Sequence, residues 1–167
     1  MKTRYTPIFR RRRKGKTNYL KRKSMIISKK TLLCIRTSNK NSSFQFFVPM
    51  INGDLMKSAS HSVQLNKFGW TNSGKNTQAL YLTGYLAGKK AKLAGVKDAI
   101  LYSGMRQFTA KSSLIAGLKG VIDAGIDIPA DHDIFSKENK FKTDTIEKII
   151  KLIDSEYGEN NGNAKKN

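Results

Sequence analysis

Thr31-Leu32-Leu33-Cys34-Ile35-Arg36-Thr37 runs directly into Ser38-Asn39-Lys40-Asn41-Ser42, and the fold follows from how these residues are read. The first seven are apolar and suited to a strand, and the next five have the composition of a turn. A second run, residues 43–50, alternates only weakly because Phe44, Phe46 and Phe47 crowd it. Asn52-Gly53 is a dipeptide that favours a tight hairpin turn, and residues 55–60 supply the returning strand. Residues 31–60 therefore predict three antiparallel strands in a meander.

Downstream, residues 61–74 read as an irregular connection that carries the only tryptophan, Trp70. Asn76 or Thr77 then caps a helix running to Leu93, with Ala79, Leu82, Leu86 and Leu93 at helical spacing and Gly95 at the stop position. Gly84, Gly88 and Ala91 on this helix predict close approach by another backbone. Residues 99–103 form a short buried strand. Ser112 or Ser113 opens a second helix, built on Leu114, Ile115, Leu118, Val121 and Ile122 and ending at Gly125. A strand, helix, strand, helix succession implies a right-handed crossover and parallel pairing of the fourth strand. The prediction is an α/β fold: a mixed sheet, with a three-strand antiparallel meander plus a parallel strand, flanked by helices. Residues 128–135 read as a loop. Residues 145–157 form an amphipathic helix on Ile146, Ile149, Ile150 and Ile153, and residues 158–167 a disordered tail.

Upstream of the meander the chain changes character. Thr17 is placed to cap a helix reaching Lys29, with Leu20, Met25 and Ile27 on its apolar side. Before it stands Arg10-Arg11-Arg12-Arg13-Lys14-Gly15-Lys16-Thr17. Residues 1–53 hold fifteen Lys and Arg and no acid; Asp54 is the first. A run of like charges is commonly a solvated tail. Here it extends from Lys2 and Arg4 through Arg22 to Lys40, with Tyr5, Phe9 and Tyr19 interleaved, where rings can stack on bases while arginines pair with phosphate. Nucleic acid is the partner this describes. The apolar face from Tyr19 to Ile27 is too modest for a membrane surface.

With 167 residues and a formal charge of +20, the chain fits one domain between a basic arm and a polar tail. The boundaries read as 1–16 for the arm, 17–137 for the α/β domain, 138–157 for a helical extension and 158–167 for the tail. Residues 123–159 carry ten acids against five lysines, so the two ends face different surroundings. The single cysteine, Cys34, reads as a buried thiol in a reducing compartment. No stretch reaches the length of a signal peptide core or a membrane span, so a soluble, cytoplasmic protein is expected.

The chemical motifs are near misses. Gly69 to Lys75 resembles a phosphate-binding loop, but Asn76 stands where a hydroxyl must reach magnesium, and no apolar strand leads into it. A flexible loop is the ordinary reading, with Lys75 free to touch an RNA backbone. A mixed sheet of this order also suits metal-dependent nucleases, which place a carboxylate on the first strand. Residues 31–37 contain none, and Asp54, Asp98 and Asp123 read as surface residues. His61 and His132 lack partners for a zinc site or a nucleophile and base pair. No enzyme, cofactor, metal or small-molecule substrate is expected, and Trp70 and Tyr81 are core candidates before they are stacking platforms.

Phe9 to Tyr19, Arg36-Thr37-Ser38-Asn39, Phe68-Gly69-Trp70, Asn76-Thr77, Tyr81-Leu82-Thr83-Gly84, Leu86 to Ala91, Gly117-Leu118-Lys119-Gly120, Asp123-Ala124-Gly125 and Ile128-Pro129 form a colinear series. It resembles the archaeal form of the large-subunit ribosomal protein that binds 5S ribosomal RNA, the family numbered eighteen in bacteria and five in eukaryotes. The likeness runs over about residues 4–137. It implies a ribonuclease H-like sheet, as in other components of the translational machinery, without catalytic activity. It also implies 5S rRNA, 23S rRNA and the neighbouring ribosomal protein numbered five in bacteria as partners, in the central protuberance of the large subunit. RNA-binding positions implied by the resemblance are Arg10, Arg11, Arg12, Arg13, Lys14, Lys16, Thr17, Tyr19, Arg36, Ser38, Asn39, Lys40 and Gln45. The charge pattern adds Arg4, Arg22 and Lys75. Two departures stand out: the family usually has acids where this chain has Lys14 and Asn18. A non-ribosomal RNA- or DNA-binding protein using the same arm is the alternative.

Overall fold

The computed structural model describes residues 6–50, 52–105, 108–110, 112–135 and 143–158. A one-turn helix α1 (Arg10–Arg13) and helix α2 (Tyr19–Ser28) precede strands β1 (Leu32–Thr37), β2 (Ser42–Val48) and β3 (Leu55–His61). Helix α3 (Thr77–Leu93), strand β4 (Ile100–Tyr102), helix α4 (Ser113–Asp123) and helix α5 (Asp144–Tyr157) complete the order. The sheet order is β3-β2-β1-β4. β1 pairs antiparallel with β2, Cys34 opposite Gln45, and parallel with β4, Leu32 opposite Ile100. The mixed α/β sheet of the sequence reading is thus present, with the fourth strand parallel as the crossover pattern required.

The weak alternation of β2 has a physical cause. Phe44 and Phe46 point with Leu33 and Ile35 into the core beneath α4. Phe47 points the other way, with Leu32 and Cys34, into a small cluster that Met25, Ile100 and Tyr102 border. Both faces of the sheet are covered there, so apolar side chains stand on both. A register shift on β3 opposite Phe46 and Phe47 accommodates the crowding.

Helix α3 lies at the centre of the molecule. Ala87 and Ala91 pack toward the sheet, while Leu82, Tyr85 and Leu86 pack toward Leu65, Trp70 and the isoleucines of α5. Every residue from Ala79 to Gly88 is buried, so the helix is apolar nearly all round and not on one face. Leu93, placed by spacing in the core, is 53% exposed where the helix emerges. Against α4 the backbones approach directly. A Cβ at Gly84 would collide with the Gly117 carbonyl oxygen, and one at Gly120 with the Tyr81 carbonyl oxygen.

Several expectations need correction. Asn18, not Thr17, caps α2: its side-chain oxygen accepts from the Lys21 N–H at 3.2 Å. Residues 61–74 are not wholly irregular, since Ser62–Phe68 forms a 3₁₀ helix whose first turn His61 caps through its ring nitrogen to the Val63 N–H. The link from β2 to β3 spans residues 49–54, longer than a two-residue hairpin turn, although Gly53 does adopt positive φ, 138°. β4 is half-buried at the sheet margin and not a buried strand. The loop after Pro129 contains a short 3₁₀ turn, His132–Ile134. The tail beyond residue 158 lies outside the described residues.

The isoleucine helix is a structural part of the core. Ile146, Ile149 and Ile153 are buried against Trp70 and α3. Tyr85 donates to Asp154 at 2.9 Å, and Lys89 pairs with the same carboxylate at 2.8 Å. Burial and this bond raise the Tyr85 hydroxyl above its ordinary value. Ile149→Ala is expected to lose about 3 kcal/mol by removing buried methyl groups and leaving a cavity. Thermal unfolding of the full chain, at a temperature lowered by about 10 °C, checks it.

Candidate nucleic-acid interface

Helices α3 and α4 cover one face of the sheet, and the opposite face is left to α2 and the arm. Met25 of α2 closes over Leu32, Cys34 and Phe47. Beyond it, a cavity of about 900 Å³ opens on the surface, lined by residues far apart in sequence. Arg11, Lys16, Thr17 and Tyr19 come from the arm and the start of α2, Arg22 from α2, Arg36 from β1 and Gln45 from β2. Seven residues singled out in the sequence thus share one concavity.

The arm has local structure of its own. After the turn Arg10–Arg13, the Gly15 N–H donates to the Arg12 carbonyl oxygen and the Lys16 N–H to the Arg11 carbonyl oxygen, with Gly15 at φ 61°. This is a Schellman closure, which explains the glycine inside a cationic run. Arg11 Nε donates to Thr17 Oγ1 at 2.9 Å and folds the arm back on itself. Phe9 and Tyr19 pack ring against ring at 5.2 Å, so these aromatics hold the arm against α2 before either meets a base. No residue of α1 is buried, so all four arginines face solvent. Arg4 and Tyr5 lie outside the described residues.

Two cations of the groove are oriented by neighbours. Arg22 makes a two-point contact with Asp54, Nη2 to Oδ1 at 2.6 Å and Nη1 to Oδ2 at 3.2 Å. These bonds raise the Arg22 guanidinium above its ordinary value and join α2 to the link before β3. Arg36 Nε donates to Cys34 Sγ at 3.4 Å, so one of its five donors meets the thiol.

Ser38, Asn39, Lys40 and Lys75 lie outside this cavity lining and form a second group past the end of β1. Ser38 closes its own turn: its hydroxyl donates to the Asn41 carbonyl oxygen and accepts from the Asn41 N–H, both at 3.1 Å. Asn39 and Lys40 are left exposed at the tip. Ser42 Oγ donates to the Gly74 carbonyl oxygen at 3.1 Å, and Ser62 Oγ to Asn41 Oδ1 at 3.2 Å, which carries exposed Lys75 to the same end of the sheet. The near-match to a phosphate loop is therefore a packed connection. Trp70 and Tyr81 are 4% and 8% exposed, and the Tyr81 hydroxyl donates to Asp123, so both belong to the core.

Sequence reasoning passed over Asp54, Phe47, Met56, Tyr102 and Met105, which line the same groove. Met56 and Met105 are about half exposed there, 48% and 57%. For Asp54 a signal existed, since it stands alone between a wholly basic front and Asp98.

Cations and aromatic side chains gathered in one groove on an α/β scaffold have the chemistry that suits a polyanion. A family model described as ribosomal large subunit proteins 60S L5 and 50S L18 matches residues 3–96. Large ribosomal subunit protein uL18 of Korarchaeum cryptofilum is 42% identical over 153 residues, covering 92% of this chain and 78% of its own. The uL18 protein of Aeropyrum pernix is 40% identical over 157 residues, covering 93% and 73%, and that of Methanothermobacter thermautotrophicus 37% over 153 residues, covering 92% and 80%. The chain belongs to the L5/L18 family of large-subunit ribosomal proteins. It is a structural component of the cytoplasmic ribosome and not an enzyme. A match over 92% of the chain necessarily passes residue 137 into α5, so the likeness extends beyond the limit set from the motifs.

Proposed function

We propose that this protein binds 5S rRNA and helps attach it to 23S rRNA in the central protuberance, beside the ribosomal protein numbered five in bacteria. The observation that carries this reading is the convergence of Arg11, Lys16, Thr17, Tyr19, Arg22, Arg36 and Gln45 on one groove. Arginines and lysines neutralise phosphates there, while Tyr19 and Gln45 meet bases or sugars. Asn39 and Lys40 at the exposed tip, with Lys75 at the same end, reach 2′-hydroxyls and backbone of the same RNA. Ser38 acts by shaping that tip, and Thr17 by orienting Arg11. Arg10, Arg12, Arg13, Lys14 and Arg4 bind phosphates along the RNA. Residues 1–16 act as the arm and 17–137 as the body, with α5 bracing α3 from behind.

The departure at Asn18 is harmless to this role, because asparagine caps a helix as well as aspartate does. Lys14 adds a phosphate contact. With about six phosphates neutralised by the arm, the arm alone contributes about −5 to the slope of log affinity for 5S rRNA against log salt. A salt series by fluorescence anisotropy measures it, and a slope near zero contradicts the reading. Co-sedimentation of the full chain with 50S particles in a sucrose gradient tests placement, since a protein that remained at the top of the gradient would have no ribosomal site.

A further inference from the structure

We propose that Asp54 is a positioning residue that makes RNA binding selective, by fixing the Arg22 guanidinium and withholding it from indiscriminate phosphate contact. The inference rests on the RNA-binding reading above. Asp54 is the only acid before Asp98, yet it lines the same groove as Arg11, Lys16 and Arg36. Both of its oxygens engage Arg22, 32 residues away, and both side chains remain about one-third exposed, 29% and 32%. An exposed pair of this kind adds little to stability. Its effect on binding is larger, for a physical reason.

A chain of charge +20 has no shortage of attraction for phosphate. Attraction alone does not discriminate, because every RNA presents the same backbone charge. A cation on a free stem turns toward any phosphate that arrives. Arg22 held through two nitrogens has a fixed plane, and its remaining donors reward only an RNA whose acceptors lie in that plane. The carboxylate also repels phosphate from this part of the groove, whichever RNA carries it. Repulsion lowers the affinity for every RNA, and orientation returns that loss only for the partner whose acceptors fit, which raises the ratio of affinities, the quantity that specificity consists of.

The test measures affinity and salt slope of the full chain for 5S rRNA and for a transfer RNA of similar charge density. In Asp54→Asn, with shape kept and charge removed, transfer RNA binding is expected to tighten about fivefold, with a salt slope steeper by about 0.9. Binding to 5S rRNA is expected to move less than twofold, so selectivity falls about fivefold. Asp54→Glu, which keeps the charge, restores most of the ratio. Arg22→Gln leaves the Asp54 carboxylate without its partner and weakens both RNAs, 5S rRNA about tenfold and transfer RNA less, so the ratio falls here too.

A pair that merely staples α2 to the link before β3 would shift both RNAs together. An unchanged ratio in Asp54→Asn therefore overturns the assignment while leaving 5S rRNA binding intact. A wild-type chain that does not prefer 5S rRNA overturns the functional reading itself, and this inference with it.

Discussion

Replacing Arg10, Arg11, Arg12 and Arg13 together by alanine is expected to weaken 5S rRNA binding about 10³-fold near physiological salt. Each phosphate contact releases about 0.9 of a counterion, so the slope of log affinity against log salt becomes shallower by about 3.6 when four are lost. The two numbers are one effect, since four such terms at about 0.15 M salt multiply to about 10³. The fold is unaffected, because none of the four side chains is buried and alanine keeps the single helical turn. The melting temperature is expected to stay within about 2 °C of wild type. A salt series on the variant checks all three statements. A slope equal to that of the intact chain would mean that the arginines do not meet phosphate.

The second large effect is on stability. Gly84→Ala is expected to lose about 3 kcal/mol, although alanine is the better helix former by roughly 1 kcal/mol. The added methyl group would meet the Gly117 carbonyl oxygen on α4, which is backbone and cannot turn aside. Gly117 is itself held, since a Cβ there would meet the Phe44 ring at 2.5 Å. The α3 and α4 axes must therefore separate, and the strain passes to the sheet. Gly120→Ala meets the same obstacle at the Tyr81 carbonyl oxygen and is expected to match it. Chemical denaturation, read as a midpoint shift with unchanged slope, measures the loss. A Gly84→Ala variant as stable as wild type would show that the helices do not cross at these glycines.

The meander and α3 were legible because their signals are local. Apolar runs broken by turn residues mark the strands, and glycines at helical spacing announce a close neighbour. What stayed hidden depends on long-range pairing. In residues 62–68 only Leu65 and Phe68, three apart, are periodic, too short a signal to mark a helix, so the 3₁₀ segment follows from the His61 cap and the packing of these two. Asn18 and Thr17 are equally plausible caps in sequence, and the choice falls to Asn18 because Thr17 accepts from Arg11.

Leu93 keeps a helical spacing with core residues but lies beyond the reach of the elements that cover α3. The isoleucine period of α5 was visible, whereas its surface of contact, Trp70 and the far side of α3, required the fold. The same holds for the candidate site. The cations could be named individually, but their union in one groove depends on β1 lying between β2 and β4 with α2 packed over it. Asp54 is the surface residue its sequence suggests, but its pairing with Arg22, 32 positions earlier, is not visible there.

The most direct test is a protein–RNA crosslinking map of the full chain bound to 5S rRNA, read residue by residue. Crosslinks are expected at Arg10 to Tyr19, Arg36, Lys40 and Gln45, with none on α5 or the outer side of α4. Crosslinks gathered on α4 and α5, with the groove between the arm and the sheet left unmarked, would contradict the account.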